Sequence, residues 1–553
     1  MAQCGTARTS AQLRGDRNEV ATWTISFSTM NYHPSYLSPA STLGVDQAME
    51  TETIRKMRNY FDAIRKLNST QTGFALLRER KRLNHSINAS AVDQMRKWVQ
   101  CLGYSISDLD RLNIVHVGGT KGKGTACAYV NSILQKYRQS CGVPRKIGLY
   151  TSPHLITVRE RIQINSEPIS EEKFAKYFFE TWDALETSGR NDGLDPVPKP
   201  PYFRFLTLMS FHVFLSEGVD TAIYEVGVGG EFDSTNIIEK PVATGITTLG
   251  IDHVAVLGDT IEEIAWHKAG IFKRGCPAYT VPQLPHAMEV LKKRAIEKGV
   301  NLNVARNFSV LDNINIKPAE HFQKKNASLA IILASIVLKK LGIATNCIPD
   351  TLPDQFIQGL ENLVWRGRCE TLTNRQQSWY LDGAHTRESL ELACSWFGRV
   401  SRPSMLCFAP ISHTKAGPTI LLCPPEFVNK NIDPDTLQTL TLQKELATTW
   451  QGLDPCTEVA SLPSIEDAID YVRSISGRNC AEQEALIFVT GSFHLVGDLS
   501  EGVNSWIFSD LAKLLKVIRG RLLEAWHNCP ELKFRTPYQS SQVPPYVITD
   551  LFF

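Results

Sequence analysis

Apolar residues recur along this chain at two spacings, and the switching between them predicts its architecture. Ile54, Met57, Phe61 and Ile64 fall at helical spacing, and Val92, Met95, Val99 and Leu102 repeat it before Gly103 ends the run. Residues 113–117 then form a short apolar strand that meets Gly118 and Gly119, after which Cys127, Val130, Leu134 and Tyr137 mark one face of a helix. Further short strands are predicted at 146–150, 221–226 and 244–249, with helical segments between them. This alternation is the pattern of a mostly parallel α/β sheet.

A second alternation follows residues 365–368: a strand at 379–381, a helix through Leu390, Cys394 and Phe397, a strand at 405–408, a helix through Ile465, Ala468, Ile469 and Val472, and a strand at 486–489. It predicts a smaller α/β domain. The pattern lapses at 1–50, where Pro34, Pro39 and many Ser and Thr read as a tail, and at 189–201, a proline-rich surface excursion. Residues 505–523 look helical, and 528–553 are proline-punctuated. The predicted organisation is a tail at 1–50, a larger domain at 51–364, a smaller one at 369–527 and a peripheral tail at 528–553. No repeat is visible.

Composition narrows the function classes. At 553 residues, 43% of them apolar and 21% charged, the chain can bury sizeable cores, and its length suggests several domains. Lys and Arg (59) nearly balance Asp and Glu (57), so no global field draws it to nucleic acid or an anionic membrane, and an anionic ligand must be held locally. The longest uncharged apolar run, 327–338, closed by Lys339 and Lys340, is shorter than the roughly 18 residues that span a bilayer. Thirteen scattered cysteines form no CxxC pair, which points to reduced thiols and a cytoplasmic setting. Arg8, Arg14 and Arg17 would suit a mitochondrial presequence, whereas Asp16 and Glu19 depart from its acid-poor composition.

The candidate chemistry begins at Gly119, Thr120, Lys121, Gly122, Lys123, Gly124 and Thr125, between a strand and a helix. Backbone N–H groups of such a loop and the helix N-terminus point at a bound anion, so it reads as a phosphate cradle with Lys123 toward the outer phosphates and Thr125 near a metal. The loop is shorter than a standard P-loop, and Gly124 separates the lysine from the hydroxyl. Ligands of open α/β sheets collect beyond the carboxyl ends of the strands. Three other strand ends supply polar groups there: Thr151, Ser152, Pro153 and His154; Glu225; and Asp252 with His253. A hydroxyl, a carboxylate and an imidazole could converge on magnesium, which takes few protein ligands and keeps some water. Thr260 and Glu263 make a capping box, and the helix they open places Lys268 on an apolar stripe with Ile261, Ile264 and Ala265. That lysine either snorkels to water or is buried for a purpose.

The chain resembles folylpolyglutamate synthase, of the Mur ligase superfamily, from about Tyr60 to Val496. The motifs that carry the resemblance are GTKGKGT (119–125), TSPHLITVRERIQIN (151–165), PPYFRFLTLMSFHVFL (200–215), EVGVGGEFDSTNII (225–238), LGIDHVAVLGDT (249–260), IAWHKAGIFK (264–273), FQKKNASLA (322–330), WRGR (365–368), YLDGAHT (380–386) and VTGSFHLVG (489–497). Length, the PPYFRF segment and the long N-terminal tail resemble the fungal form. The resemblance implies an N-terminal ATPase domain, a C-terminal Rossmann-like domain and ATP with magnesium at their interface, and it admits a monovalent cation. It implies that ATP phosphorylates a folate γ-carboxylate and that L-glutamate attacks the acyl phosphate. It further implies that Lys123, His253 and Lys268 serve catalysis, that Ser152, Glu225 and His253 are magnesium ligands, and that Lys268 is a carbamate helping to hold a second magnesium. Asn326, Arg368, Asp382 and His385 would meet nucleotide. Ser152, Pro153, His154 and Arg159 or Arg161 would border the folate site, on a segment resembling the family's mobile loop. The implied partners are small molecules (reduced folate, L-glutamate and ATP), with the protein a monomer.

Two departures stand out. Where the family often carries Arg-Asp after the strand at 405–408, this chain has Lys415-Ala416 following Ser412-His413-Thr414, which loses a bidentate fork and a charge. The usual WPGR is here Trp365-Arg366-Gly367-Arg368, which removes the restraint of proline from the linker. Two other functions share these motifs: dihydrofolate synthase, which joins glutamate to dihydropteroate, and a non-catalytic nucleotide-binding paralogue.

Overall fold

The computed structural model describes residues 58–72, 90–318, 320–373, 377–384 and 387–400, three further strands and a few helical residues within 444–452. All belong to the unit Lys56–Phe553. Strands β1 (Val115–Gly118), β2 (Ile147–Tyr150), β3 (Ile162–Ile164), β4 (Glu167–Pro168), β5 (Thr221–Glu225), β6 (Ala243–Ile246), β7 (Ala278–Thr280) and β8 (Leu302–Val304) form one sheet in the order β4-β3-β2-β5-β1-β6-β7-β8. From β2 to β8 the pairing is parallel, and β3 and β4 turn back antiparallel at the edge. The chain moves from β1 outward to β2, returns through β5 and crosses to β6, so β1 lies at the switch point where α/β sheets take ligands.

Side chains alternate across the strands, which buries both faces. On one face Val115, Val117, Ile147, Leu149 and Ile223 join a core with helices α3 (Lys123–Cys141), α9 (Gln323–Lys340) and α10 (Asp354–Glu361). On the other, Tyr150, Ala222 and Tyr224 pack with α1 (Tyr60–Ser69), α2 (Ala91–Cys101), α4 (Glu171–Asn191) and α5 (Tyr202–Ser216). This second core is aromatic: Phe211 stacks on Tyr224 with centroids 4.8 Å apart, and Phe178 meets Phe205 at 4.9 Å. Near β6 and β7 the one-turn helix α6 (Val254–Leu257), α7 (Ile261–Lys268) and α8 (Pro285–Glu297) follow. Among the described residues no helix is long and apolar enough to cross a membrane.

The predicted strands at 113–117, 146–150 and 221–226 fall on β1, β2 and β5. The one predicted at 244–249 is shorter, because Thr248 leaves the sheet to accept from the backbone N–H groups of Thr120 and Lys121, both at 3.0 Å. The stretch at 189–201 is mostly exposed, but Val197 packs back against Gly189, and Lys199 pairs with Glu186 over the Trp182 ring.

Beyond residue 368, β9 (Glu370–Thr373), β10 (Gln377–Leu381), helix α11 (Arg387–Val400), β11 (Met405–Phe408), β12 (Glu458–Ser461) and β13 (Ala485–Val489) follow. β10 pairs parallel with β13 and antiparallel with β9, and β11 pairs parallel with β12. The strands expected at 379–381, 405–408 and 486–489 and the helix through Cys394 are present, while β9 and β12 were not expected. The tails at 1–50 and 528–553 and the helices expected at 465–472 and 505–523 lie outside the described residues.

Candidate functional site

The glycine loop leaves β1 through two backbone conformations that suit glycine. Gly119 has φ 140°, and a Cβ there would stand 1.9 Å from Thr247 Oγ1; Gly122 has φ 88°, and a Cβ would stand 2.4 Å from Asn326 Oδ1. Gly122 is the N-cap of α3, so the turn delivers Lys123 directly to the first helical position. The unpaired N–H groups of that first turn face the loop's interior, the arrangement that binds phosphate. The loop is fixed from the β6 side: Thr120 Oγ1 donates to Gly250 O at 3.0 Å, and Lys121 Nζ pairs with Asp252 Oδ2 at 3.1 Å.

Lys268 does not snorkel. It is 2% exposed, and its Nζ donates to the carbonyl of Gly119 at 2.8 Å, so α7 pins the loop from beneath. Burial, with Lys123 nearby, pulls its pKa from 10.5 to about 7. A substantial free-base fraction at neutral pH is what an amine needs to add carbon dioxide.

Glu225 ends β5 and is 5% exposed. Its Oε2 accepts from the backbone N–H of Ser152 at 2.9 Å, which joins the ends of β2 and β5. Burial pushes its pKa up, while Lys123, that N–H, Arg368 and Arg161 pull it down. A Cβ on Gly124 would stand 3.5 Å from Glu225 Oε2 and 3.4 Å from Trp365, so this glycine lets the first turn of α3 pass between a carboxylate and an indole. Among the described residues no three His, Cys, Asp or Glu side chains gather to hold a metal. The donor set is one buried carboxylate beside Ser152 with cations around it, which fits a hard cation that draws its other ligands from water and phosphate.

His253 occupies the other flank. It caps α6 in a left-handed conformation (φ 52°), its side chain is 44% exposed, and its Nε2 lies 4.0 Å from Asp252 Oδ1. Despite burial, His253 and Lys121 hold Asp252 below the usual carboxylate range.

The expected folate-side residues divide. Arg161 is buried, donates from Nε to His154 Nδ1 at 2.9 Å and lies over the Tyr202 ring, yet its charge still reaches Glu225. Arg159 is engaged elsewhere, with the carbonyl of Ile169, Glu171 and the Tyr60 ring, so of the two arginines it is Arg161 whose charge reaches Glu225. Glu160 accepts from the N–H groups of Leu155, Ile156 and Thr157, closing the segment on itself. Pro153 is exposed, after a cis Ser152-Pro153 bond.

The far side contributes Asn326, buried against Gly122 and donating to Gln323 at 2.7 Å, and Arg368, whose charge acts on both Glu225 and Asp382. Asp382 is buried, raised by that burial, and accepts from the N–H groups of Cys369 and Ala384. The linker is less free than its missing proline predicts: Glu370 takes Arg366 Nε at 3.3 Å and the Gly367 N–H at 2.7 Å, and Gly367 O accepts from Gly383. His385, Lys415 and Ala416 lie outside the described residues.

Two groups were not singled out from the sequence. Asp233 is buried, accepts from the N–H groups of Val228 and Thr235 and from Thr235 Oγ1 at 2.6 Å, and lies in the field of Lys268. Its Asp-Ser-Thr spacing, typical of a side chain capping its own backbone, was the available signal. Trp365 covering Gly124 left no such signal.

A comparison with protein-family models gives no match. Among curated proteins, the chain is 48% identical over 477 residues to folylpolyglutamate synthase of Neurospora crassa, covering 80% of this chain and 90% of that protein. It is 43% identical over 488 residues to the Saccharomyces cerevisiae protein of the same name, covering 80% and 86%. Among solved structures, the apo form of L. casei FPGS matches with a TM-score of 0.61 at 21% identity, over 81% of this chain and 100% of that one. An FPGS-AMPPCP-folate complex matches at 0.60 and 23%, over 80% and 99%. Mycobacterium tuberculosis folylpolyglutamate synthase complexed with ADP matches at 0.59 and 21%, over 82% and 100%.

Proposed function

That the chain belongs to the folylpolyglutamate synthase family is the premise from which we propose how its own residues divide the reaction. The protein is an ATP-dependent ligase that adds L-glutamate to folates. A folate carboxylate oxygen attacks the γ-phosphorus of ATP, the bond from that phosphorus to the bridging oxygen breaks, and ADP departs from an acyl phosphate. The amino group of L-glutamate then attacks the acyl carbon, gives up a proton and expels phosphate, leaving an amide.

Phosphoryl transfer asks the protein for positioning and charge neutralisation more than covalent help. The loop from Gly119 to Gly124 and the first turn of α3 hold the phosphates, and Lys123 neutralises their outer charge. Magnesium, when bound, would supply Lewis-acid neutralisation of the phosphate charge. Glu225 beside Ser152 would hold it, with His253 brought in from the exposed flank. Lys268 acts as a positioning residue through the Gly119 carbonyl and, if carbamylated, would also present negative charge to a metal. Arg368 links Glu225 to the linker, while Arg161 keeps a cation on the β2 side of that carboxylate. Asn326 lies against Gly122 where nucleotide would meet α9, and the exposed Pro153 borders the folate side.

The observation that carries these roles is the packing of Gly124 between Glu225 and Trp365, which places the carboxylate at the first turn of the phosphate helix. The test is incubation with MgATP, L-glutamate and either tetrahydrofolate or dihydropteroate, following pterin products by mass spectrometry together with ADP release. Successive additions to tetrahydrofolate, slowed by about 10²–10³-fold in Lys123→Ala, are expected. Addition to dihydropteroate alone would make the protein a dihydrofolate synthase, and ATP binding without product would make it a non-catalytic relative.

A further inference from the structure

Asn326 and Asp382, the two buried side chains placed on the nucleotide side, stand on opposite sides of the linker at 365–368, and each belongs to a rigid run of contacts. Before the linker, Asn326 lies against Gly122 and is bonded to Gln323, whose backbone N–H donates in turn to the carbonyl of Glu320 at 2.8 Å. The Glu320 N–H donates to Pro318 O at 2.9 Å, so the turn that enters α9 is fixed on both sides of this acid. After the linker, Asp382 follows β10, and β10 is packed on α11 through Tyr380, whose ring meets Phe397 at 5.0 Å and Trp396 at 5.9 Å. All three of those rings are buried.

The two runs meet in one ion pair. Arg399, in the last turn of α11, donates from Nη2 to Glu320 Oε2, and its Nη1 is braced by Ser395 Oγ one turn back at 2.8 Å. The pair is asymmetric, because the arginine side chain is 55% exposed and the carboxylate only 8%. Two solvated groups would carry little, but a buried carboxylate needs a cation, and removing that cation leaves an uncompensated charge. Lys324, four residues on, is already paired with Asp312. The linker feels the same acid: Cys369, bonded through its N–H to Asp382, has its thiol pushed up by burial and by the fields of Asp382 and Glu320. Glu320 therefore sits where the entry to α9, the linker and α11 come together.

We propose that Glu320 and Arg399 are positioning residues for the nucleotide, their ion pair being a latch that fixes α9 and Asn326 on one side of the linker against α11, β10 and Asp382 on the other. The inference rests on the reading of the glycine loop as the ATP site, and it adds to that site a pair of side chains that act through Asn326 and Asp382.

The test is calorimetric titration of the full chain with MgADP, read beside Tm without nucleotide. The native protein is expected to bind, and Lys123→Ala to bind at least about tenfold more weakly. Arg399→Met should weaken MgADP by at least about fivefold and lower Tm by about 2–4 °C, since the buried Glu320 loses its partner. Adding Glu320→Gln to Arg399→Met removes the orphaned charge, so Tm should recover while the affinity loss stays, because the latch is still broken. A pair that only stabilised the fold would restore both together. MgADP affinity unchanged in Arg399→Met, or restored along with Tm by Glu320→Gln, overturns the latch while the reading of the loop stands. Native protein that binds no MgADP, or binding that Lys123→Ala leaves intact, overturns the reading of the loop and the latch with it.

Discussion

The two flanks of the glycine loop are built on opposite principles. On the inner flank Lys268, Glu225 and Asp233 are buried, and each is held by a bond to backbone or a neighbouring hydroxyl that fixes its position before any ligand arrives. On the outer flank Lys121, Asp252 and His253 stand in or near solvent, joined by one ion pair and the exposed turn that begins α6. Burying a charge is costly unless it is paired, so the inner groups are retained at the expense of stability and supply a preorganised field. The outer groups carry little of that cost and need ligand charge to complete them.

The sharpest way to break this contrast is to remove charge from the inner flank and from the loop it holds. Lys123→Ala and Glu225→Gln should each lower kcat by about 10²–10³-fold, the usual size of losing one preorganised electrostatic group. Circular dichroism should show both folded. Glu225→Gln should lose little stability, because burial already penalises the ionised form. A kcat loss under about threefold would remove Glu225 from the phosphate site.

Gly122→Ala tests the backbone of that loop. The new Cβ would meet Asn326 at 2.4 Å in a left-handed conformation, so two costs add. The expected loss is about 2–4 kcal/mol in urea unfolding, with a raised KM for ATP. Asn326→Ala in the same chain should recover the part due to the clash and leave the part due to φ.

Much of this was legible in the sequence, for reasons that differ by element. The loop, the strand ends and the capping box of α7 are local patterns, and local patterns persist when the chain folds. Lys268 stood out because it broke the apolar stripe of its own helix. What could not be read were contacts set by which faces meet: Arg159 and Arg161 are two residues apart, yet one turns to Tyr60 and the other to His154. The linker misled in the same way. Loss of proline at Arg366 suggested freedom, but Glu370, four residues on, grips the segment through a side chain and a backbone N–H.

A smaller effect separates the buried flank by pH. His116, fully buried in β1, contacts Thr235 Oγ1 at 2.7 Å; that hydroxyl donates to Asp233, so the Nε2–H of His116 is the donor to Thr235. Burial, with Lys273 nearby, lowers its pKa to about 3. A folded value below the unfolded 6.5 means that its stability contribution is complete above pH 6.5 and is lost as pH falls toward 3. Unfolding free energy should therefore drop by about 1 kcal/mol more between pH 6.5 and 5.5 in the native protein than in His116→Gln. Equal slopes would mean that folding leaves the His116 pKa where it stands in the unfolded chain.

The smallest effect belongs to the outer flank and decides whether the contrast holds. Lys121 and Asp252 are 3.1 Å apart with side chains 30% and 16% exposed, so solvent screens much of their attraction, and Lys121→Met should cost no more than about 1 kcal/mol of stability. If that flank is completed by ligand, the same substitution should raise the KM for MgATP several-fold while kcat changes little, because the lost charge acts on binding more than on the transition state. The effect should shrink with added salt, as a half-exposed cation requires. A stability loss as large as that of Gly122→Ala, with KM unmoved, would mean that the Asp252 side is fixed as firmly as the Glu225 side. His253 would then stand in its working position without ligand.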